Sequence, residues 1–587
     1  MYKKLLLSIA VMANCISTNA QTLAPDYKGN GYNNPISANV FCADPTALEY
    51  NGRLYVYGSN DHQEFIANGK HGENTYGNIK SIVVFSTDDM VNWTFHGTID
   101  TKKVCSGWVP SGWPIKGYGV SWAPSVTWRT HKRSKKDEFF LYFCNNVHGI
   151  GVLKAASPLG PWESPLDELM IHSETPGAKP SSAIFDPGVT VDDNGVGWLA
   201  IGGLDPVESE GGTGFDPKNA RVYKLNYGLT TLDGLPAKIP APYHFEANEL
   251  NVIGGKYVYT YCSNWADRTV ADWNAYKAEK GITVSAPDKC TMCYMVSDDP
   301  TNPDSWVYKG VYGPHPGMGT NNNHSHLQKF QGQYYHIYHG APLMQKMKNA
   351  GILGEKDAVY RSICVNKAIV NEETATISRV TTNLTGVTAI KNLNPYEWQQ
   401  AETMASCGGV EYEDFTNITN NTKVSTLDND ASENLQVQMK AGSWINQRSA
   451  DFGTTGAAKF TLCAKGTGTM QIRLGSRTAQ AAATIEFSST EMEEHTVELD
   501  ASKFVGVKNL YFVVTAADNV FVDSWQFTAY DPTGIEEVVN SKKVKEQRYD
   551  LSGRQLSAAN SHRGIIIEQY TDEHGVKHSR KVVSCKE

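Results

Sequence analysis

ADPTALEYNGRLYVYGSND, residues 43 to 61, sets an aspartate before a proline, then runs through an alternating strand, a Gly-containing turn and a second aromatic strand. That is the pattern of a β-hairpin. The plan returns four more times: as WAPSVTWR followed by DEFFLYFCNN from Trp122, as FDPGVTVDDNGVGWLAIGG from Phe185, as FEANELNVIGGKYVYTYC from Phe245 and as NHSHLQKFQGQYYHIYHG from Asn323. The leading residues Asp44, Trp122, Asp186, Glu246 and His324 lie 78, 64, 60 and 78 positions apart, room for one four-stranded sheet each. Phrases suited to outer strands, FSTDDMVNWTFHG, KAASPLGPWE and VSDDPTNPDSWVYKG, each bring a Trp shortly after a Pro, Asp or Asn turn. The spacing predicts a five-bladed β-propeller.

The bulk composition agrees with an all-β chain. Its 587 residues are too many for one core, and 13 Trp, 29 Tyr and 51 Gly suit short strands joined by tight turns. A formal charge of −9 with scattered Lys and Arg excludes the basic footprint that nucleic acid requires. Lys3 and Lys4, the apolar run Leu5 to Met12 and the small residues Thr18 and Ala20 read as a cleavable leader over residues 1–20, so the chain is expected to be secreted, periplasmic or displayed at the cell surface. Asn14 stands before Cys15 where a lipoprotein anchor would have a small residue. Disulfides are permitted in such a compartment, with no pairing readable from the sequence. Cys290 and Cys293 form a CxxC with no second pair, which favours buried strand thiols over zinc.

Radial repetition brings the first residues of the innermost strands to one end of the axis. Asp44, Asp186 and Glu246 are read as holding the same place in successive repeats, so three carboxylates converge there with Trp122 and His324. Paired carboxylates in unlike environments hydrolyse glycosidic bonds, one ionised as base and one kept protonated as acid. Crowding the charges in a partly dry pocket raises at least one pKa, and Glu246 is the natural acid. Alternation in EANELNV sets Glu246 and Glu249 on opposite faces.

With ADP at 43–45, WAP at 122–124, FDPGVTVDDNG at 185–195, FEAN at 245–248 and NHSH…YYHIYH in order, residues 33–390 resemble glycoside hydrolase family 43. The resemblance implies Asp44 as general base, Glu246 as general acid and Asp186 as the acid that orients Glu246 and adjusts its pKa. It implies an inverting reaction without a covalent sugar intermediate. Trp122 is expected to line the pocket for a sugar face, and Arg361 to reach both substrate hydroxyls and Asp186. His324 matches a family histidine near the axis that is associated with a bound cation, while His326 stands where relatives carry a small residue. No cofactor is needed for the chemistry.

After NLNPYEW the pattern shifts. WQQAETM, ENLQVQMKAGSWINQ, AAKFTLCAK, TMQIRLGS, ATIEFS, HTVELD, NLYFVVT and DSWQF read as separate strands of a β-sandwich over residues 397–530. QAETMASCGGVEYED, AGSWINQRSADFGTTGAAKFTLCAKG and NVFVDSWQF resemble a family 6 carbohydrate-binding module. That resemblance implies a structural calcium at Glu402 and Asp523 and a sugar-stacking role for Tyr412, whereas TAADNVF at 515–521 supplies no clear second aromatic. Residues 533–587 form a charged, strand-bearing tail that resembles the C-terminal sorting or anchoring domains of secreted bacterial proteins.

The expected function is removal of α-L-arabinofuranosyl groups from arabinoxylan, with plant cell-wall polysaccharide as partner. A β-xylosidase of the same family, a non-catalytic glycan-binding propeller and a retaining fructan hydrolase are the alternatives.

Overall fold

The computed structural model describes residues 22–106, 119–179, 183–315, 317, 322–354, 359–424, 431, 434–531, 545–549, 555–556, 564–571 and 577–584. The leader read over residues 1–20 and Cys15 lie outside them. Five antiparallel blades follow in chain order. Blade one comprises β1 (Ala43–Tyr50), β2 (Arg53–Ser59), β3 (Ile82–Thr87) and β4 (Trp93–Ile99), with helix α1 (Asp61–Asn68) after β2. Blade two is β5 (Trp122–Thr130), β6 (Asp137–Cys144), β7 (Gly149–Ala155) and β8 (Ile171–His172). Blade three is β9 (Gly188–Val191), β10 (Gly197–Ile201), β11 (Arg221–Lys224) and β12 (Ala237–Lys238). Blade four is β13 (His244–Ile253), β14 (Lys256–Ser263), β15 (Met292–Ser297) and β16 (Val307–Gly313); blade five has β17 (Ser325–Phe330), β18 (Gln333–Gly340) and β19 (Ser362–Ala368). The innermost strands β1, β5, β9, β13 and β17 pack in ring order, and β17 returns to β1.

A shared backbone device shapes the inner strands. In β1, β5 and β13 the ladder slips between Ala43 and Thr46, Trp122 and Ser125, and Glu246 and Glu249. Two residues there oppose one, as in a β-bulge. The residue opening the bulge is left-handed, with φ 48° at Asp44, 41° at Ala123 and 62° at Ala247, and Asp186 before β9 has φ 48°. Aspartate tolerates this region better than most side chains. The bulges correct the expected register: Asp44 and Asp186 share a position with Ala123 and Ala247, and Glu246 stands one residue earlier, level with Ala43, Trp122 and Phe185. Neighbouring blades are stitched just beyond, where Thr46 Oγ1 accepts from the Val126 amide at 3.2 Å and Ser125 Oγ from the Val189 amide at 3.0 Å. The next such position is Gly188, where a Cβ would lie 2.6 Å from the Asn248 carbonyl, so only glycine lets the blades approach.

The N-terminal segment closes the ring. Asn34 Nδ2 donates to the Val365 carbonyl at 3.0 Å and the Asn383 carbonyl at 2.8 Å, and its Oδ1 accepts from the Val365 amide at 2.8 Å. Ahead of it, Lys28 Nζ donates to the Ala405 carbonyl at 2.6 Å, and the Ala24 carbonyl accepts from Trp444 Nε1 at 2.9 Å.

The C-terminal region is not an independent body. Thr403 and Met404 pair with Thr94 and Trp93 as a fifth strand of blade one. One core runs from Val56, Phe85 and Phe95 through Phe415, Val437 and Phe460. Six of the eight short pieces read there join into three long strands: Ala457–Leu474, Ala481–Glu498 and Val507–Ala529 each fuse two of them. Bulges inside these strands, as at Lys465/Thr467, let pairing continue around the bend, so a single eight-stranded sheet curls to enclose the core. TAADNVF, residues 515–521, lies inside the last of these strands. Tyr530–Glu587 is a separate unit, in which Gln555–Leu556, Lys545–Tyr549, Gly564–Thr571 and Lys577–Ser584 form an antiparallel sheet in that order.

Asn34→Ala would strand the Val365 amide and carbonyl in a buried place. It is expected to lower stability by at least about 2 kcal/mol, read as a reduced urea midpoint with an unchanged slope. An unmoved midpoint would mean that other contacts close the ring.

Candidate active site

The bulges turn the leading side chains toward one end of the propeller axis. Asp44 is buried, 6% exposed, and each of its oxygens has a partner. Oδ1 accepts from Arg361 Nη1 at 2.7 Å and Oδ2 from Ser59 Oγ at 2.7 Å. Ser59 Oγ in turn accepts from the Ala123 amide at 2.9 Å, tying the site to blade two. The Asp44 amide donates to His339 Nδ1 at 3.1 Å, and His339 Nε2 meets the Asn322 carbonyl at 3.1 Å. A carbonyl only accepts, so the proton sits on Nε2 and Nδ1 turns a lone pair toward Asp44. Arg361, not His339, is thus the countercharge. Burial alone would raise the Asp44 pKa, but the Arg361 guanidinium, aided by His339 and His324, more than offsets it and holds this carboxyl well below the usual range.

Arg361 is itself gripped from behind. Asp61, the last residue of the opening stretch and first of α1, accepts from Arg361 Nε at 2.9 Å and Nη2 at 2.8 Å in a bidentate pair, and Oδ2 also takes the Arg361 amide at 2.9 Å. The expected contact between Arg361 and Asp186 is not made: the three guanidinium nitrogens are taken up by Asp61, Asp44 and Asn322.

Asn322 links Arg361 to Glu246. It accepts from Arg361 Nη1 through Oδ1 at 3.1 Å and donates through Nδ2 to Glu246 Oε1 at 3.0 Å. Burial, then the charges of Asp186 and Asp44, push the Glu246 carboxyl well above the ordinary range. Asp186 accepts from the Ala247 amide at 2.8 Å, and burial with the Asp44 charge pushes it up to about 7. Between the aspartates, His324 Nδ1 lies 3.8 Å from Asp44 Oδ1 and 3.9 Å from Asp186 Oδ2, and burial draws its pKa down to about 4, so it is neutral at pH 7. Three carboxyls thus share one hollow in unlike states: one firmly ionised, one balanced near neutrality and one held protonated.

Trp122 stands at the wall, where its Nε1 donates to the Tyr76 carbonyl at 2.9 Å, and the Tyr76 ring covers the Arg361 guanidinium at 5.2 Å. Glu249, beyond the bulge, is buried against His326, Oε1 to Nδ1 3.0 Å, away from solvent. Tyr412 is not a sugar platform. It is 1% exposed, its ring stacks on His62 at 4.4 Å, and its hydroxyl accepts from Asn60 Nδ2 at 3.0 Å. Among the described residues no three His, Cys, Asp or Glu side chains cluster for a metal; His324 stands at the axis, and Glu402 lies within reach of the Asp523 charge. Glu402 Oε2 is nevertheless buried without a hydrogen-bond partner, and burial together with the Asp523 charge drives its pKa well up, a setting that suits a hard cation. Cys42, Cys105, Cys144, Cys262, Cys290, Cys293, Cys364, Cys407 and Cys463 are free thiols.

Reading the sequence missed Asp61, Asn322, His339, Ser59 and Tyr76. Ser59 and Asp61 lie inside the opening stretch, where the end of a strand and the start of a helix looked like an ordinary turn.

The family model for glycosyl hydrolases family 43 matches residues 32–351, and that for the family 6 carbohydrate binding module matches residues 400–529. An arabinoxylan arabinofuranohydrolase of Paenibacillus polymyxa is 36% identical over 538 residues, covering 89% of this chain and 78% of that protein. One of Bacillus subtilis (strain 168) is 35% identical, covering 89% and 98%. The crystal structure of a glycoside hydrolase family 43 arabinoxylan arabinofuranohydrolase from Bacillus subtilis, in complex with cellotetraose, has a TM-score of 0.72 at 34% identity and covers 87% of this chain and 99% of that one.

Arg361→Gln would leave Asp44 and Asp61 buried without their countercharge and is expected to lose about 3–5 kcal/mol near neutral pH. In the wild type the depressed Asp44 pKa contributes stability above the unfolded carboxylate range, lost as pH falls through the folded value. In the variant Asp44 rises above that range and Asp61, which burial already raises, goes higher, so acidification protonates them and narrows the gap. Melting curves between about pH 7 and pH 4 check this. A constant gap would reject the pairing.

Proposed function

The chain belongs to the family 43 glycosyl hydrolases, and from that membership we propose that it removes α-L-arabinofuranosyl groups from arabinoxylan with inversion at the anomeric carbon. Its module is a family 6 carbohydrate-binding module, and polysaccharide is the partner. The observation that carries the reading is the pairing, in one buried hollow, of an ionised Asp44 with a Glu246 kept protonated. Two arabinoxylan arabinofuranohydrolases matched across 89% of the chain support the sugar.

In this reading the sugar enters with its anomeric carbon between the two carboxyls. Asp44 holds a water through its carboxylate and takes its proton as the oxygen attacks. Glu246 gives its proton to the departing oxygen, so the xylan backbone leaves as an alcohol rather than an alkoxide. The displacement needs the carboxyls roughly 6.5–9.5 Å apart, with water between base and sugar. Asp186 acts on Glu246 by charge: as Asp186 ionises near neutrality, its repulsion keeps the proton on Glu246 to higher pH. His324, neutral and set between the aspartates, keeps them apart without cancelling either charge. Trp122 and Tyr76 supply an apolar wall for the ring face. Lys3, Lys4 and the apolar run after them support an enzyme that works outside the cytoplasm.

Asp44→Ala is expected to lose turnover by about 10²-fold or more while keeping its fold. Glu246→Gln should recover on an aryl arabinofuranoside whose leaving group needs no proton. Asp186→Asn removes a negative neighbour, lowers the Glu246 pKa and moves the basic limb of the pH profile to lower pH. A panel of aryl arabinofuranoside, aryl xyloside and arabinoxylan, with the first anomer followed by NMR, tests the reading. Faster cleavage of the xyloside, or a retained anomer, would overturn it.

We also infer that Glu402 and Asp523 hold a structural calcium, which would balance two adjoining carboxylates at the curled sheet. Chelation should then lower the melting temperature by several degrees, and readdition should restore it. An unchanged melt would remove the cation.

A further inference from the structure

Tyr412, which the curled sheet presents to blade one, touches the residues that hold the base. Its hydroxyl accepts from Asn60, and its ring stacks on His62, at 4.4 Å and 21°. Between those two residues stands Asp61, whose carboxylate carries both the Nε and Nη2 of Arg361. The far side of the His62 ring stacks on Phe41 at 5.5 Å, and the Phe41 amide donates to His62 Nδ1 at 3.3 Å, three residues ahead of Asp44. Two routes therefore lead from one tyrosine to the same carboxylate: through Asp61 and Arg361, and through His62 and Phe41. The same helix fixes the pocket wall. Glu64 of α1 accepts from the Asn78 amide at 2.6 Å and the Thr75 amide at 3.2 Å, on either side of Tyr76.

The tyrosine is in turn held firmly on its own side. It opens a short turn in which the Glu411 amide donates to Asp414 Oδ2 at 2.9 Å, and Lys440 Nζ pairs with Asp414 at 2.8 Å. Residues 60–62 are therefore held from two sides: by their own blade, where Asn60 Nδ2 also donates to Ser81 Oγ at 2.9 Å, and by an element some 350 residues away in the chain.

We propose that Tyr412 is a positioning residue for the hydrolytic reaction, and that the carbohydrate-binding module braces the catalytic base as well as binding glycan. The proposal rests on the role given to Asp44 above. The groups facing Asp44 are Arg361 ahead of β19, His324 ahead of β17, His339 on β18 and, across the hollow, Asp186. Of these only Arg361 is set by the braced segment. Loosening it withdraws positive charge from Asp44, so the base protonates at higher pH and activity is lost earlier on acidification.

The test uses the full chain and the variants Tyr412→Ala, Tyr412→Phe and Asn60→Ala. The first readout is hydrogen–deuterium exchange in residues 58–66 and 359–364; the second is kcat/KM against pH on an aryl α-L-arabinofuranoside. Tyr412→Ala should exchange faster in both segments and shift the acidic limb upward by about one unit, the low end of what one adjacent countercharge contributes. Tyr412→Phe keeps the ring stack and should fall between it and the wild type; it and Asn60→Ala carry the test if the alanine variant does not fold. A lowered melting temperature with unmoved exchange and an unmoved limb would reduce Tyr412 to packing and overturn the proposal. A wild type inactive on arabinofuranosides would instead overturn the assigned reaction, and exchange alone would still decide the brace.

Discussion

A guanidinium buried between two carboxylates is the constraint on which the active end of this propeller depends. Arg361 is 3% exposed, and among the described residues no other Lys or Arg pairs with Asp44 or Asp61. Pairing of this kind tolerates little displacement, because an uncompensated charge in such surroundings is worth several kcal/mol. The remaining geometry is arranged around it. The bulge in β1 turns Asp44 to the guanidinium, α1 begins at Asp61, and the chain enters β19 at Arg361 so that backbone and side chain meet Asp61 together. Burial raises Asp186 and Glu246, and the anion fixed at Asp44 adds to the effect, so burial and one ion pair together set three chemically similar groups apart.

The second organising fact is that propeller and module share their apolar interior. Blade one is flanked on its outer edge by Thr403–Met404, and its aromatic residues continue without a break into the curled sheet. A freely tethered binding domain would expose a polar surface to its enzyme and move against it. Here the contact is made of Phe95, Tyr412 and Phe415, with ring centroids 6.0 and 4.8 Å apart along the series from Phe95. The cost is that an aromatic which resembles a glycan platform has become part of the core.

Much of this was legible in the sequence, and the exceptions have a common cause. The five hairpin phrases identify the blades because their alternation and turns are local. Asp44, Asp186 and Glu246 were found because each stands at the head of such a phrase. The register of Glu246 was misread by one place because a bulge breaks the period of two on which strand reading relies. The same feature made Ala457–Leu474, Ala481–Glu498 and Val507–Ala529 look like six pieces. Asp61 was missed and Tyr412 given another role for a different reason: their partners are 300 and 352 residues away, and no local pattern records burial against a distant element.

The N-terminal segment has a consequence for how the molecule is made. Ala24, Lys28 and Asn34 find their partners at Trp444, Ala405 and Val365, which are synthesised hundreds of residues later. Blade five cannot be sealed until residues 365–383 have been made, nor the outer edge of blade one covered until Thr403–Met404 have. A nascent product stopped anywhere before the curled sheet would keep rows of tyrosine and tryptophan open to water. The closing contacts thus join the first residues of the propeller to residues far downstream, and the ring has no seal until both ends of each contact have been made.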